Sequence, residues 1–268
     1  MFDQGSGRLQ LAHAITNPSN PLIARVFVNR VWQAVFGQGL VKTTSNFGKL
    51  GEQPSHPELL DDLSIRFVEN GWSLKRLLRD IVQSETYRQS SATRSECADV
   101  DPVNVSLWRM NRKRLSVESW RDAILSVTHR LDSTIGGKSI DPSQPDSRRR
   151  TVYTQVSRLD LNRMLAVFDF PDPNAHSDGR AKTVNPLQKL FILNSPFMLS
   201  SSDALSQRLE ANATHPIDRI RATYQLLFAR QPSDAEIRES LEFLQGEAPA
   251  WNQWTQVMLA TNEFATLD

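Results

Sequence analysis

From Asn20 to Phe36 apolar residues recur at three- and four-residue steps, asparagine stands as N-cap, Pro21 holds the first helical position and Gly37 marks the end. The pattern predicts a helix buried on most sides, because Leu22, Ile23, Val26, Phe27, Val31, Trp32 and Val35 leave only the narrow polar strip of Arg25, Asn29 and Gln33. Arg30 projects inside the apolar arc. It is therefore expected to be buried and paired with a carboxylate.

Residues 36–54 read as a structured connector. Ser55 and Glu58 match a capping box for a helix beginning near His56, with Leu59, Leu60, Leu63 and Phe67 on one face and an end at Gly71. Leu74, Leu77, Leu78, Ile81 and Val82 continue it as a helical hairpin. Residues 90–103 are polar and aperiodic, an expected internal boundary or loop within one domain spanning 1–268. Val117, Trp120, Ile124, Val127 and Leu131 then give another helix, placing Glu118, Asp122 and His129 on a different face with Arg121 beside them. A long loop over 132–150 ends in Arg148, Arg149 and Arg150. Residues 151–157 alternate as one strand would. A short helix through Phe168 and helices near 187–193, 196–209, 217–228, 234–245 and 251–264 follow, one opened by a second capping box at Ser233 and Glu236. The fold class is mainly α, a multi-helical domain with at most a small β element.

With 268 residues and 39% hydrophobic content the chain can bury a substantial core, and 31 basic against 30 acidic residues give no general pull toward nucleic acid. No apolar run is long enough to span a bilayer, and the N-terminus lacks a signal-peptide pattern. The single cysteine, Cys97, excludes an internal disulfide, a four-cysteine zinc site and covalent haem attachment within this segment. Neither metal nor cofactor is expected.

Several ordered motifs resemble the planctomycete surface domain of unknown function numbered fifteen fifty-three. They include the stretches from Asn20 to Val26 and Val28 to Trp32, Phe36-Gly37-Gln38-Gly39, Asn46-Phe47-Gly48, and Pro54 to Leu60. Asn70-Gly71-Trp72-Ser73, Arg121-Asp122, Phe168-Asp169 and Leu187-Gln188 continue the series. The resemblance implies an N-terminal companion domain, often a cytochrome c module, and an extracytoplasmic setting in the periplasm or at the cell surface. It assigns no catalytic residue.

Candidate chemistry therefore comes from residue types alone. His56 beside Glu58 suggests proton transfer at a helix N-terminus, against simple capping. Glu118, Asp122 and His129 suit metal ligation poorly in spacing and ion pairing well. Asp169 and Asp172, in a proline-constrained loop, suggest calcium binding or an acid and base pair on a sugar, against the favoured local turn capping. Arg150 and Arg180, with Arg148, Arg149 and Lys182, form a candidate basic patch for an acidic polysaccharide, against a solvated loop. Two functional readings stand side by side. One is a scaffold or glycan-binding module; the other is a polysaccharide hydrolase or lyase with His56, Glu118, Asp122, Asp169 and Asp172 as catalytic candidates and Arg30, Asn29, Arg121, Arg150, Arg180 and Gln188 as substrate-binding ones. If a site exists, Arg30, His56, Glu118, Arg121 and Asp169 are expected to converge.

Overall fold

The computed structural model describes residues 5–17, 19–181, 183–245 and 250–267. The chain divides into two compact units, the first running through Lys113 and the second from Arg114 to Leu267. The segment expected to be a boundary, 90–103, lies inside the first unit and contains a short helix.

Helices of the first unit are α1 (Arg8–Thr16), α2 (Pro21–Phe36), α3 (Pro57–Glu69), α4 (Leu74–Val82), α5 (Glu85–Arg88) and α6 (Ser95–Val100). The bounds of α2 follow from its punctuation: Asn20 accepts a hydrogen bond from Leu22 N–H, proline takes the first position, and Gly37 turns the chain at φ 85°. Its inward line is Ala24, Val28, Val31, Trp32 and Phe36, which packs with Leu60, Leu63 and Phe67 of α3 and Leu77 and Ile81 of α4. Phe27, 39% exposed, sits at the rim with its ring stacked 5.0 Å from that of Phe67, while Leu22 lies on the outer side, 47% exposed. Arg30 shares that side and is exposed, which corrects the expectation of a buried, carboxylate-paired arginine. The small Ala24 and Val28 mark the direction of closest approach between helices, so the largest side chains misplace the buried arc by part of a turn.

The polar residue that is buried on α2 is Asn29, expected on a solvent strip but fully enclosed. Its side chain accepts from Val41 N–H at 2.9 Å and donates to Val41 O at 3.0 Å, closing the connector onto the helix as a strand neighbour would. Gly39 makes room for it. A Cβ there would stand 2.7 Å from Val41 O and 2.8 Å from Asn29 Nδ2, so no other residue fits without displacing the pair.

At the start of α3 the N-cap is His56, and no side chain caps it; Ser55 Oγ instead lies 3.0 Å from His56 Nδ1. This corrects the capping box. A residue preceding proline is disfavoured in helical conformation, so Pro57 moves the first helical position one step beyond the place Ser55 would cap. The far end of α3 is a Schellman motif: Trp72 N–H donates to Phe67 O, Gly71 N–H donates to Val68 O, and Gly71 takes φ 65°. Trp72 packs edge-on against Phe67 with centroids 5.3 Å apart, supplying the hydrophobic contact of that motif. Ser73 then caps α4 and completes the hairpin.

The second unit contains α7 (Val117–Val127), a 3-10 turn at Thr151–Tyr153, α8 (Arg163–Val167), α9 (Pro186–Asn194), α10 (Pro196–Asn212), α11 (Pro216–Phe228), α12 (Asp234–Phe243) and α13 (Trp251–Leu259). Its main core joins Trp120, Ile124 and Leu125 to Met164, Leu165, Phe197, Met198, Leu205 and Leu259; Ile220, Tyr224, Trp254 and Met258 form a smaller one. Ser195 ends α9 and caps α10, because Pro196 cannot continue the first helix yet suits the first turn of the next. The expected strand at 151–157 opens as the 3-10 turn, which corrects that assignment. Among the described residues, strands are limited to the paired two-residue segments Lys113–Arg114 and Thr266–Leu267, so the fold is mainly α.

The capping box of α12 is present, with Ser233 N–H donating to Glu236 Oε2 at 2.7 Å and Ser233 Oγ accepting from Glu236 N–H. Arg230 grips the same carboxylate at 2.7 and 3.0 Å, and also Glu263 at 2.6 and 2.8 Å. The Arg230 bonds, against a smaller opposing effect of burial, hold the Glu236 carboxyl at about 2, below its ordinary 4.5. A depressed folded value means that the stabilisation is complete above pH 4.5 and disappears as pH falls toward 2. Glu236→Gln should therefore cost about 1–2 kcal/mol at pH 7. In denaturant titrations the gap between parent and variant should close as pH approaches 2.

Candidate functional site

Of the candidate residues, His56, Asn29 and Arg30 belong to the first unit, and Glu118, Arg121, Asp122, Arg150, Asp169, Asp172, Arg180 and Gln188 to the second. Within the first, His56 is half-buried against Ser55, Arg30 is exposed on the outer side of α2, and Asn29 is enclosed by Val41. Glu58 is exposed in the first turn of α3.

The second unit gathers its candidates into polar clusters, of which those around Arg121 with Asp122 and around Glu118 start from α7. Ser116 caps that helix through Ser119 N–H, and its apolar face drives Trp120 and Ile124 inward, which carries Arg121 in with them. Arg121 is fully buried. Its guanidinium donates to the carbonyls of Pro142 at 3.2 Å and Arg149 at 3.0 Å, to Ser147 O, and to Thr151 Oγ1 at 3.1 Å, while it lies over the Phe197 ring at 5.2 Å. Removal from water pulls its pKa down from the ordinary arginine value to about 10, partly offset by the neighbouring charge of Asp122. It remains charged at neutral pH. One side chain thus holds the 142–151 segment at four oxygen atoms.

Asp122, the next residue, accepts from Thr151 N–H at 2.7 Å and from Thr151 Oγ1 at 2.6 Å. Those bonds take the backbone donor that a strand at 151 would have spent on a neighbour, and they are the physical reason the chain turns there. Arg150 Nε stands 3.7 Å from the other carboxylate oxygen. Arg149 donates to Lys138 O at 2.6 Å and stacks 4.2 Å from the Tyr153 ring centroid, so it turns onto its own loop, while Arg148 and Arg150 on either side are exposed. His129 falls beyond the end of α7, exposed and at φ 54°, and does not share a helical face with Glu118 and Asp122.

One turn earlier on α7, Glu118 receives both Nη atoms of Arg180 at 2.6 Å each. Burial, the largest single influence, raises the Glu118 carboxyl, but the bonds and charge of Arg180 together with hydrogen bonds from its own backbone N–H and from Ser116 leave the group below its ordinary value. Arg180 also lies 4.9 Å from the Phe170 ring centroid. Asp169, at φ 60°, accepts from Thr183 N–H at 2.9 Å and from Thr183 Oγ1 at 2.6 Å. Gln188 is buried, capped by Asn185 through its own N–H; its amide donates to Val167 O at 3.1 Å and accepts from Arg114 at 3.1 Å. Arg114 also donates to Thr183 O at 2.7 Å. Asp172 lies outside this network and caps a local turn through Asn174 N–H at 2.8 Å. Lys182 lies outside the described residues.

Chemically, each candidate carboxylate on the second unit already accepts from a donor of the chain, while Arg121 holds carbonyls and Arg180 holds one of those carboxylates. Thr151 and Thr183, which hold Asp122 and Asp169, carry no sequence signal of their own: each is an isolated hydroxyl whose partner lies 29 or 14 residues away. Among the described residues no group of three or more histidine, cysteine, aspartate or glutamate side chains is placed to hold a metal ion, and no helix is long and apolar enough to cross a membrane.

These features define a mainly α-helical chain of two units whose second unit is stapled by buried and half-buried polar side chains. The chain belongs to the PSD1 family, described as a protein of unknown function (DUF1553), whose model matches residues 7–244. This is the family that the motifs resemble. No curated protein and no solved structure matches the chain.

Proposed function

We propose that this chain is a scaffold or binding module of a larger extracytoplasmic protein, in which the candidate carboxylates serve the fold rather than turnover. The observation that carries the reading is the occupation of Glu118, Asp122 and Asp169 by Arg180, Thr151 and Thr183 at 2.6 to 2.9 Å. A general acid or base must reach the proton that it moves, and each of these carboxylates has two donors of its own chain on its oxygens. An N-terminal companion domain, a cytochrome c module and a polysaccharide are the partners this module would position.

The test is turnover. Neutral and acidic polysaccharides incubated with the parent, His56→Ala and Asp169→Asn should show no new reducing ends or unsaturated products in any of the three, with all three confirmed as folded. Cleavage by the parent that disappears in either variant would instead establish the polysaccharide-active reading, with that residue in the machinery.

A further inference from the structure

We propose that the outer edge of α4, with Trp72 before it, is a docking surface for a bilayer rich in anionic headgroups, on which the first unit lies without crossing it. This goes beyond the scaffold reading and does not depend on it.

Two rows run along α4 at four-residue spacing. Leu74, Leu78 and Val82 border its apolar face, and Lys75 and Arg79 form the row beside them. The core takes Leu77 and Ile81 and leaves the border partly outside, with Leu74 44% and Val82 38% exposed. Arg76 stands beyond the cationic row. Lys75, Arg76 and Arg79 are all exposed, and among the described residues none of their side chains has an ion pair or a hydrogen bond. Asp80, the acid of the same helix, is turned to Arg66 at 3.6 Å. The helix itself gains nothing from these cations: Lys75 and Arg76 occupy its first turn, at the positive end of the dipole, and Lys75 and Arg79 repel each other four residues apart. An anionic surface turns the same placement into attraction.

Trp72 adds the aromatic element. Its ring rests edge-on against Phe67, on which the partly exposed Phe27 is stacked, yet 44% of Trp72 remains exposed and its indole N–H has no partner among the described residues. The residue takes φ 59°, where glycine or asparagine would fit without strain, so the chain bears a local cost to keep an indole there. An indole with a free N–H suits the level between headgroups and acyl chains. Leucine and valine beside it gain from the acyl boundary, while lysine and arginine reach up to the phosphates. The exposed aliphatic border decides between anionic partners. An acidic polysaccharide matches the cations but presents hydroxyl groups to Leu74 and Val82, whereas a bilayer matches both rows.

Co-sedimentation of the full chain with vesicles tests this, using phosphatidylcholine alone and an equal mixture with phosphatidylglycerol. The chain should bind the mixed vesicles, bind phosphatidylcholine little, and be released by salt. Joint replacement Lys75→Gln, Arg76→Gln and Arg79→Gln should weaken binding about a hundredfold with the thermal midpoint retained. Lys49→Gln, Lys138→Gln and Lys189→Gln together make the same change of net charge at exposed lysines elsewhere and should leave binding nearly unchanged. Lipids brominated near the headgroup should quench tryptophan fluorescence in the parent. Trp72→Phe, which keeps a ring against Phe67, should still sediment with the vesicles and lose that quenching. Equal binding to both vesicle types, equal weakening by the two triple variants, undiminished quenching in Trp72→Phe, or no binding to mixed vesicles would each overturn the proposal. Binding to soluble polygalacturonate that depends on the α4 cations, without binding to vesicles, would overturn it in favour of an acidic glycan.

Discussion

Arg121→Ala is expected to destabilise the second unit by about 3–5 kcal/mol, the largest effect of any single substitution proposed for this chain. The residue is fully buried, so truncation leaves a cavity bordered by Phe197 and strands the carbonyls of Pro142, Ser147 and Arg149. Thr151 would lose one partner and keep Asp122. Two further variants separate volume from hydrogen bonding. Arg121→Met fills much of the space but donates nothing, and should retain most of the loss. Arg121→Lys keeps the charge but cannot present a planar fork to several acceptors, and should recover little. Denaturant unfolding gives the magnitudes. Amide exchange should show the 142–151 segment losing protection before the helices do. Equal stability of the methionine variant and the parent would mean that the buried guanidinium only occupies space.

In the first unit, Asn29→Ala should cost about 2–4 kcal/mol. It removes an acceptor from Val41 N–H and a donor from Val41 O in an enclosed setting, where unpaired backbone groups bear their full desolvation cost. Asn29→Asp sharpens the test through pH. One carboxylate oxygen still accepts from Val41 N–H, but the other faces Val41 O, so burial and the carbonyl both disfavour the charged form. The folded pKa of the new carboxyl should then lie above its unfolded value. A raised acid pKa gives stability that is present at low pH and lost as pH rises, so the deficit relative to the parent should shrink on acidification toward pH 4. A deficit that grew on acidification would place the side chain in water rather than against Val41. Gly39→Ala should reproduce much of the loss, because its Cβ would meet both members of the pair.

The sequence made the helices legible wherever their punctuation was local. Asn20-Pro21, Gly37 and the Ser233/Glu236 box each act within one turn, and each element they delimit lies where the pattern put it. Short helices were missed for the complementary reason: α1 buries nothing, and α5 and α6 are too short for periodicity to appear. Direction of burial was less legible than presence of a helix. On α2, Arg30 and Asn29 exchanged their expected environments, since the buried side is set by which helix packs against Ala24 and Val28, not by the sequence of α2 itself. The Ser55 box failed because the competing rule, that a residue before proline avoids helical conformation, acts on His56.

For the candidate site, residue types pointed to charges that matter but not to their partners. Glu118, Asp122 and Asp169 do sit in specific polar networks. Their partners, Arg180, Thr151 and Thr183, come from loops whose course is fixed by the second unit as a whole. A strand expectation at 151 could not include a carboxylate on a distant helix taking its backbone donor. Nor could a run of three arginines show that Arg149 turns back onto its own loop.

The measurement that tests the central claim most directly is the sign of the stability change on removing the candidate carboxylates. Catalytic groups are held in place against the preferences of the fold, and their removal is commonly neutral or stabilising. Groups that staple the fold behave oppositely. Denaturant unfolding at neutral pH should show a loss of about 1–3 kcal/mol for Asp122→Ala, which frees the donors of the buried Thr151, and a smaller loss of about 0.5–1.5 kcal/mol for Asp169→Ala, whose exposed Thr183 donors turn to water. A gain in stability, or none lost, in both variants would contradict the account and return these carboxylates to the list of groups held for chemistry.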